Sequence, residues 1–179
     1  MDEPSDEQLV ATCLDGRQDV FAELVRRHQD PVFGLAMIMT HNRADASDMA
    51  QEAFIKAYRN LAKYNSGYSF RNWVMAICAN QTKNQFRSRA RKRRAEEKHL
   101  AQQTNAIRKE DPRAVDVEEL ARTIPDTLRI PLMLKHVEDL SYEEISAVLH
   151  IGVSAAKMRV KRGKDQLTHL LAQQEEAGT

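Results

Sequence analysis

The apolar residues of this chain recur three and four positions apart over most of its length, which is the spacing of amphipathic helices. No stretch shows the two-residue alternation of a half-buried strand. Six Gly and five Pro in 179 residues also favour long helices over turn-rich β structure. The predicted helices cover residues 5–29, 31–38, 44–61, 70 onward with Ser69 as the cap, 117–124 and 125–137. The pattern predicts an all-α fold.

Two prolines and two polar segments punctuate this pattern. Pro31 fits the first turn of a new helix, where its missing N–H leaves no bond unmade. Residues 41–43 predict a short break, and residues 63–69 predict a loop because Asn, Ser and Gly cluster there. Pro131 interrupts a helical pattern, so the sequence predicts that the helix either kinks or ends at that position and does not decide between the two.

Residues 139–171 predict two helices joined by a tight turn. Ser141 and Glu144 have the spacing of a capping box, so the first helix is expected to begin at Tyr142. Gly152 is expected to take a positive φ in the turn, and Ser154 is expected to cap the second helix. The inward positions of that second helix are Ala156, Val160 and Leu167. The expected motif is a helix-turn-helix.

The second helix carries five basic side chains and no acid between residues 157 and 164. Lys157, Lys161 and Lys164 recur on one face, with Arg162 beside them. A helix-turn-helix with a basic second helix suits a DNA major groove and its flanking phosphates. An ordinary helical hairpin with a solvated basic face is the alternative that this stretch alone leaves open.

The stretch between about residues 89 and 114 contains only two large aliphatic residues, Leu100 and Ile107. It can bury little apolar surface and is interpreted as a flexible linker. The expected organisation is two small helical domains on a tether. These are residues 1–95, a linker at 96–114, and residues 115–179 with the helix-turn-helix.

The net charge of +1 conceals a separation of charge along the chain. Residues 1–30 hold eight acids and three bases. Residues 83–98 hold eight bases against Glu96 and Glu97, and form a basic patch additional to the one at 157–164. Segregation of this kind indicates a polyanionic partner better than the total charge does.

Several functional classes find no support in the sequence. The two cysteines and six histidines show no metal-ligand spacing, so neither a metal nor a cofactor is expected. Cys13 and Cys78 imply no disulfide framework and are interpreted as buried, inert thiols. No carboxylate cluster, phosphate-binding glycine loop or Ser-His-Asp set predicts an enzyme. With no long apolar run and no signal peptide, the chain is expected to be cytoplasmic, without membrane insertion.

Two further segments carry candidate chemistry. Residues 63–87 interleave aromatic, amide and basic side chains, a combination that stacks bases, reads base edges and holds phosphates in single-stranded nucleic acid. Within them Phe70 and Trp73 are better interpreted as core residues, because they have helical spacing with Ile77. The helix around residues 45–59 has an acidic and amide face. That face is either simply solvated or, beside basic patches elsewhere, suited to a protein partner.

The sequence resembles bacterial sigma factors of the extracytoplasmic-function group in three blocks that occur in the family's order. DASDMAQEAFIKAYRNL at 45–61 is similar to the family's D-x-x-Q-E-x-F helix. YSFRNWVMAICANQTKNQFR at 68–87 is similar to its F-x-x-W helix with a downstream Asn. Residues 124–167 are similar to its C-terminal block, which begins P-x-x-x-R and contains L-S-Y-E-E-I. Together the blocks cover most of residues 20–170.

The resemblance implies a partner and a role for each domain. The first domain would bind the β′ clamp helices of core RNA polymerase through Asp48, Gln51, Glu52, Ile55 and Arg59. It would open the promoter −10 element and capture a flipped base through Tyr64, Asn65, Ser66, Tyr68, Ser69, Asn80, Lys83, Asn84 and Arg87. The second domain would meet the polymerase β flap and read the −35 element through Ser154, Lys157, Met158, Arg159, Lys161 and Arg162. Many family members are held inactive by an anti-sigma protein, a partner that this sequence neither names nor excludes.

The chain departs from the family pattern at the recognition helix. Ser154, Ala155 and Ala156 stand where Gly-Thr-Val is common, and Ala155 cannot donate a phosphate hydrogen bond as Thr would. Asp139 replaces a frequent Gly. The −35 preference therefore does not follow from the resemblance. The alternative function is a stand-alone two-domain regulator that binds duplex DNA without polymerase, although operator binding requires neither the acidic face nor the aromatic-amide segment.

Overall fold

The computed structural model describes residues 3–99 and 123–177. Over these residues it contains seven α-helices, two short 3-10 helices at Gln18–Val20 and Leu61–Lys63, and no strand. The α-helices are α1 (Asp6–Leu14), α2 (Phe21–Thr40), α3 (Arg43–Arg59), α4 (Phe70–His99), α5 (Asp126–His136), α6 (Tyr142–Leu149) and α7 (Val153–Ala177). The predicted all-α fold is confirmed. Residues 96–99 of the predicted linker end α4, whereas its remainder and most of the predicted helix at 117–124 lie outside the described residues.

Helices α1 to α4 enclose the first part of the core. Four alanines on α3, together with Phe54, face inward, and their small side chains let α3 pack closely between α2 and α4. Phe70 is fully buried, as its helical spacing predicted, while Trp73 is partly buried and packs against the same core. Other buried members are Leu24, Val32, Leu35, Met39, Val74, Met75 and Cys78.

Helices α5 to α7 form the second bundle around Leu134, Leu140, Ile145 and Val148. The predicted inward positions of α7 are confirmed, because Ala156 and Val160 are buried and Leu167 packs against the core. Gly163 is a buried position that the hydrophobic pattern did not reveal. A Cβ atom at this residue would lie 3.0 Å from the carbonyl oxygen of Leu128 on α5.

The predicted continuous helix over residues 5–29 is wrong, because α1 ends at Leu14 and Gly16 takes a φ of 105°. A positive φ of this size is open to glycine and closed to most other residues, so the chain turns there. The prediction that Pro31 opens a helix is also wrong, since Pro31 lies inside α2. Buried neighbours on both sides, Leu24 and Leu35, gain enough from packing to offset the missing backbone hydrogen bond.

Pro131 also lies inside a helix, so the structure excludes the break that the sequence left open at this position. The predicted break at residues 41–43 is confirmed. His41 takes a φ of 54° at the end of α2, and the Asn42 side chain caps α3 by accepting a hydrogen bond from the Asp45 N–H at 3.0 Å. The predicted loop before α4 is present, and Ser69 caps that helix through the Asn72 N–H at 3.2 Å.

The turn of the helix-turn-helix differs from its prediction in detail. Ser141 and Glu144 form the expected capping box and α6 begins at Tyr142. The positive φ belongs to His150, at 52°, and not to Gly152, because α6 ends at Leu149 and the left-handed residue follows directly. Gly152 instead precedes α7 and accepts from the Ala156 N–H at 2.9 Å, so Ser154 lies within the first turn and is not the cap.

None of the helices in residues 3–99 and 123–177 combines the length and apolar character needed to cross a membrane. The same residues contain no group of three or more His, Cys, Asp or Glu side chains placed to hold a metal ion.

Candidate nucleic-acid and protein interfaces

The basic face of α7 is presented to solvent. Lys157, Lys161, Arg162 and Lys164 are exposed, and the Met158 side chain is 53% exposed between them. Burial of Ala156 and Val160, together with the close approach of Gly163 to α5, fixes which side of α7 turns outward. The outward side chains can therefore reach a groove and its phosphates together, as a recognition helix must.

Arg159 lies on a different side of α7 from this exposed basic face. It is half-buried and lines a cleft of about 300 Å³ between the two bundles, together with Lys83 and Arg87 of α4. Burial lowers the pKa of Lys83, and the nearby charges of Arg159 and Arg87 lower it further. The structure thus brings one residue predicted to bind the −35 element next to two predicted to bind the −10 element.

The loop before α4 is held in shape by its own side chains. The Tyr64 hydroxyl donates to the Tyr68 carbonyl at 2.6 Å, and the Asn65 side-chain oxygen accepts from the Gly67 N–H at 2.9 Å. The Tyr64 ring lies 5.5 Å from the Phe70 ring and 5.3 Å from the Trp73 ring, and burial raises its pKa. Tyr64 therefore supports the loop, whereas Tyr68, at 62% exposure, is free to stack on a base.

The polar candidates on α4 are unequally accessible. Asn84 and Arg87 are exposed, whereas Asn80 and Lys83 are half-buried. The Lys83 ammonium donates to the carbonyl oxygen of Leu149, the last residue of α6, at 3.3 Å. A cation at a helix C-terminus satisfies a carbonyl that has no partner within the helix. In this arrangement the second bundle partly covers the predicted −10 surface.

The outward face of α3 contains all five residues predicted to contact polymerase, and all five are exposed: Asp48, Gln51, Glu52, Ile55 and Arg59. Gln51 and Ile55 also line a groove of about 870 Å³ between α2 and α3. Phe33 and Phe54 contribute to the apolar lining of this groove. Tyr58, 36% exposed and in edge contact with Phe21, belongs to this surface although sequence analysis missed it. The sequence signal that could have identified Tyr58 is its position three residues after Ile55, which places both side chains on the same face of α3.

Sequence analysis also missed the residues that join the two bundles. Asn72 is buried and donates from its amide to Glu144 at 2.8 Å, and Arg71 lies 3.8 Å from the same carboxylate. Burial alone would raise the pKa of Glu144, but the hydrogen bonds from Asn72 and Ser141 and the charge of Arg71 together lower it. These partners are separated by 72 positions, so no local pattern predicted them.

Two further contacts between the bundles involve α2. The Arg129 guanidinium meets the His41 ring and also binds Asp126 at 2.7 Å. Glu138 approaches Gly34 so closely that a Cβ atom there would lie 2.5 Å from its carboxylate. Burial raises the pKa of Glu138, and the charge of Arg71 opposes this rise.

The architecture and the sequence both have known counterparts. The fold is similar to that of the sigma factor RpoE from Bartonella quintana, solved in complex with the anti-sigma factor NepR, with a TM-score of 0.70 and 20% identity over 85% of this chain and 96% of that one. The chain is 32% identical to the sigma factor SigE of Mycolicibacterium smegmatis, over 95% of this chain and 70% of the relative. It is also 32% identical to the RNA polymerase sigma-H factor of Pseudomonas aeruginosa, over 93% of each.

Each bundle matches a different region of one protein family. Residues 24–92 match sigma-70 region 2, and residues 114–167 match sigma-70 region 4. The first match contains the exposed face of α3 and the loop before α4, and the second contains the helix-turn-helix. The chain therefore belongs to the sigma-70 family of RNA polymerase sigma factors, in its extracytoplasmic-function group.

Proposed function

We propose that this chain is a dissociable sigma subunit that binds core RNA polymerase, directs it to specific promoters and helps to open their −10 element. The observation that carries the proposal is the coexistence of two exposed surfaces of different chemistry in one small chain. One is the acidic and amide face of α3, and the other is the basic face of α7. A regulator that only bound duplex DNA would need the second and not the first.

The basic face of α7 is the proposed −35 reader. Lys157, Lys161 and Arg162 would contact phosphates and base edges, and exposed Met158 would meet the apolar groups of the groove. Ser154, one turn earlier, is exposed and can donate to a phosphate. Arg159 would join these contacts only if the cleft between the bundles opens.

The loop at residues 64–69 and the adjoining side of α4 are the proposed −10 surface. Unstacking a base costs a few kcal/mol, which stacking and hydrogen bonds in a preformed site can offset. Tyr68 offers the exposed ring, and Ser66 and Ser69 offer exposed hydroxyls. Asn84 and Arg87 would hold the strand beside the loop, with Asn80 and Lys83 completing the surface.

The proposed polymerase contact lies on α3 and extends into the groove beside it. Ile55 and Tyr58 supply exposed apolar area, while Asp48, Glu52 and Arg59 supply charges that can orient a partner helix. We further propose that the chain acts in the cytoplasm and has no catalytic activity of its own. An anti-sigma protein is a candidate partner, because the Bartonella quintana sigma factor with a similar fold was solved bound to one.

Run-off transcription tests the proposed function. Core polymerase is incubated with and without the chain on the promoter upstream of its own coding sequence, and co-elution of chain and core is measured in parallel. We expect co-elution and a transcript that appears only when the chain is present. Failure to co-elute, combined with a gel shift of duplex DNA by the chain alone, would favour the stand-alone regulator.

A further inference from the structure

Tyr64 connects the core of the first bundle to the loop before α4. Its half-buried ring lies 5.5 Å from the Phe70 ring and 5.3 Å from the Trp73 ring. Phe70 is fully buried and Trp73 packs against the same core, so these two rings fix the position of the Tyr64 ring. At the far end of that ring, the Tyr64 hydroxyl donates to the Tyr68 carbonyl oxygen at 2.6 Å. A side chain anchored in the bundle therefore holds the far part of the loop.

The backbone of Tyr68 is held on both sides of its Cα atom. Its N–H donates to the Asn65 carbonyl oxygen at 3.1 Å, and its carbonyl oxygen accepts from the Tyr64 hydroxyl. The first bond lies within the loop, whereas the second connects the loop to a packed aromatic ring. With both backbone groups engaged, the direction in which the Tyr68 side chain leaves the loop is restricted, and its ring is 62% exposed. The exposed ring is thus presented from a fixed backbone before any ligand binds.

The surroundings of the Tyr64 hydroxyl favour a supporting role over a direct contact with DNA. Its proton is donated to the Tyr68 carbonyl and is not available to a strand phosphate. Burial raises the pKa of Tyr64, and the charges of Glu7 and Asp6 on α1 raise it further. Carboxylates near enough to disfavour a phenolate also repel a phosphate at the same point. The hydroxyl is therefore better placed to hold the loop than to bind the strand.

We propose that Tyr64 is a positioning residue for strand capture, whose hydroxyl fixes the Tyr68 backbone so that the Tyr68 ring is ready to stack on an unstacked −10 base. Tyr64 acts through Tyr68 and does not touch the DNA. A loop that is already ordered loses less conformational freedom on binding. If only a fraction of the chains hold the competent loop, the apparent affinity falls by that fraction. This inference rests on the proposed function, since it concerns the loop assigned to the −10 element.

The test separates the Tyr64 hydroxyl from the Tyr64 ring and from the Tyr68 ring. Tyr64→Phe removes the donor but keeps the ring that packs in the bundle. Tyr68→Ala removes the exposed ring but keeps the carbonyl oxygen that accepts the bond. The double variant combines the two changes. Tyr142→Phe, which removes a hydroxyl from a half-buried ring of the second bundle, is the matched control.

Binding is measured with holoenzyme assembled from core polymerase and the full chain. The probe is a labelled single-stranded oligonucleotide that wild-type holoenzyme selects from a randomised pool, and its affinity is read by fluorescence anisotropy. We expect Tyr64→Phe to bind this strand roughly three- to fivefold more weakly than wild type, and Tyr142→Phe to match wild type. Tyr68→Ala should also weaken binding, because it removes a stacking surface. Tyr64→Phe should then cause no further loss in the Tyr68→Ala chain, since the ring that it positions is absent.

Unchanged strand affinity for folded Tyr64→Phe would overturn the inference, as would an equal loss from Tyr64→Phe with and without the Tyr68 ring. The second result would indicate that the hydroxyl contacts the strand or stabilises the chain in general. Thermal unfolding of each free chain establishes that it is folded, and a Tyr68→Ala chain with wild-type affinity would also reject the role of Tyr64. Any of these results, obtained while wild type binds core and selects a strand, leaves the sigma function intact. Failure of wild type to bind core or to select a strand would reject the proposed function itself.

Discussion

The reactivity of the two cysteine thiols depends on how deeply each side chain is buried. Cys78 is fully buried on α4, and burial raises the pKa of its thiol to about 11, against a weaker opposing hydrogen bond with Thr82. Cys13 is buried on α1, and its pKa is also raised by burial. A thiol of raised pKa yields little thiolate at neutral pH, and the thiolate is the reactive form.

We therefore expect neither cysteine to react with a thiol reagent in the native chain at neutral pH. The measurement is absorbance after addition of an aromatic disulfide, before and after denaturation. Both thiols should appear only in denaturant. Rapid labelling of either one in the native chain would contradict the burial described here.

Gly163 illustrates how a close approach of two backbones constrains a residue. Alanine at this position would gain about 1 kcal/mol of helix propensity, but its Cβ atom would lie 3.0 Å from the Leu128 carbonyl oxygen and 3.3 Å from the Leu132 Cβ. Overpacking against a rigid helix costs about 1–3 kcal/mol. We expect Gly163→Ala to lower the midpoint of thermal unfolding, and Asp165→Ala, at an exposed position on the same helix, to leave it nearly unchanged.

At the scale of elements, α3 is a helix with two distinct surfaces. Four of its five alanines are buried because small side chains permit close packing, and this burial forces the acidic and amide residues outward. Exposure of the face follows from packing alone. Its use as a polymerase contact is a proposal that substitution can test.

We expect Glu52→Lys to weaken binding to core polymerase at least about tenfold, because reversing one charge in a complementary interface commonly costs more than 1 kcal/mol. Folding should be intact since Glu52 is exposed. Co-elution or fluorescence titration with core provides the measurement. Asp15→Lys, the same kind of charge change on an exposed residue after α1, is the control. Equal core affinity for Glu52→Lys and wild type would refute the assignment of α3.

The start of the helix-turn-helix depends on the backbone conformation of Asp139, which precedes α6. Asp139 takes a φ of 50°, at a position where sigma factors of this group often have Gly. An aspartate tolerates the left-handed region better than most residues do. The departure from the family pattern therefore preserves the local geometry, and α6 begins normally two residues after Leu140.

At the scale of the whole molecule, the contact between the bundles is sensitive to pH through Glu144. Its pKa lies below the ordinary value of 4.5, since the bonds from Asn72 and Ser141 and the charge of Arg71 outweigh burial. A carboxylate of lowered pKa contributes stability above its ordinary pKa and loses it as the pH falls below that value. Burial raises the pKa of Glu138, so this residue acts in the opposite sense. Its protonation removes the cost of keeping a charged carboxylate away from water.

We expect wild type to exceed Glu144→Gln in free energy of unfolding by about 1 kcal/mol at neutral pH. This difference should shrink as the pH is lowered through 4.5 and below. Urea denaturation of both chains over a pH series measures it. A difference independent of pH would show that ionised Glu144 does not contribute to the contact.

The sequence by itself determined most of the helices, the capping box of α6, the inward side of α7 and the outward sides of α3 and α7. These features depend on interactions within a few residues, which periodicity and capping residues express directly. Tertiary structure decided that Pro31 and Pro131 lie within helices, because packing on both sides of each proline outweighs a lost backbone bond. It also decided that the Lys83 ammonium donates to the last carbonyl of α6 and that Asn80 is half-buried. Contacts such as Asn72 with Glu144 join residues 72 positions apart, and their small free energies leave no trace in any local pattern.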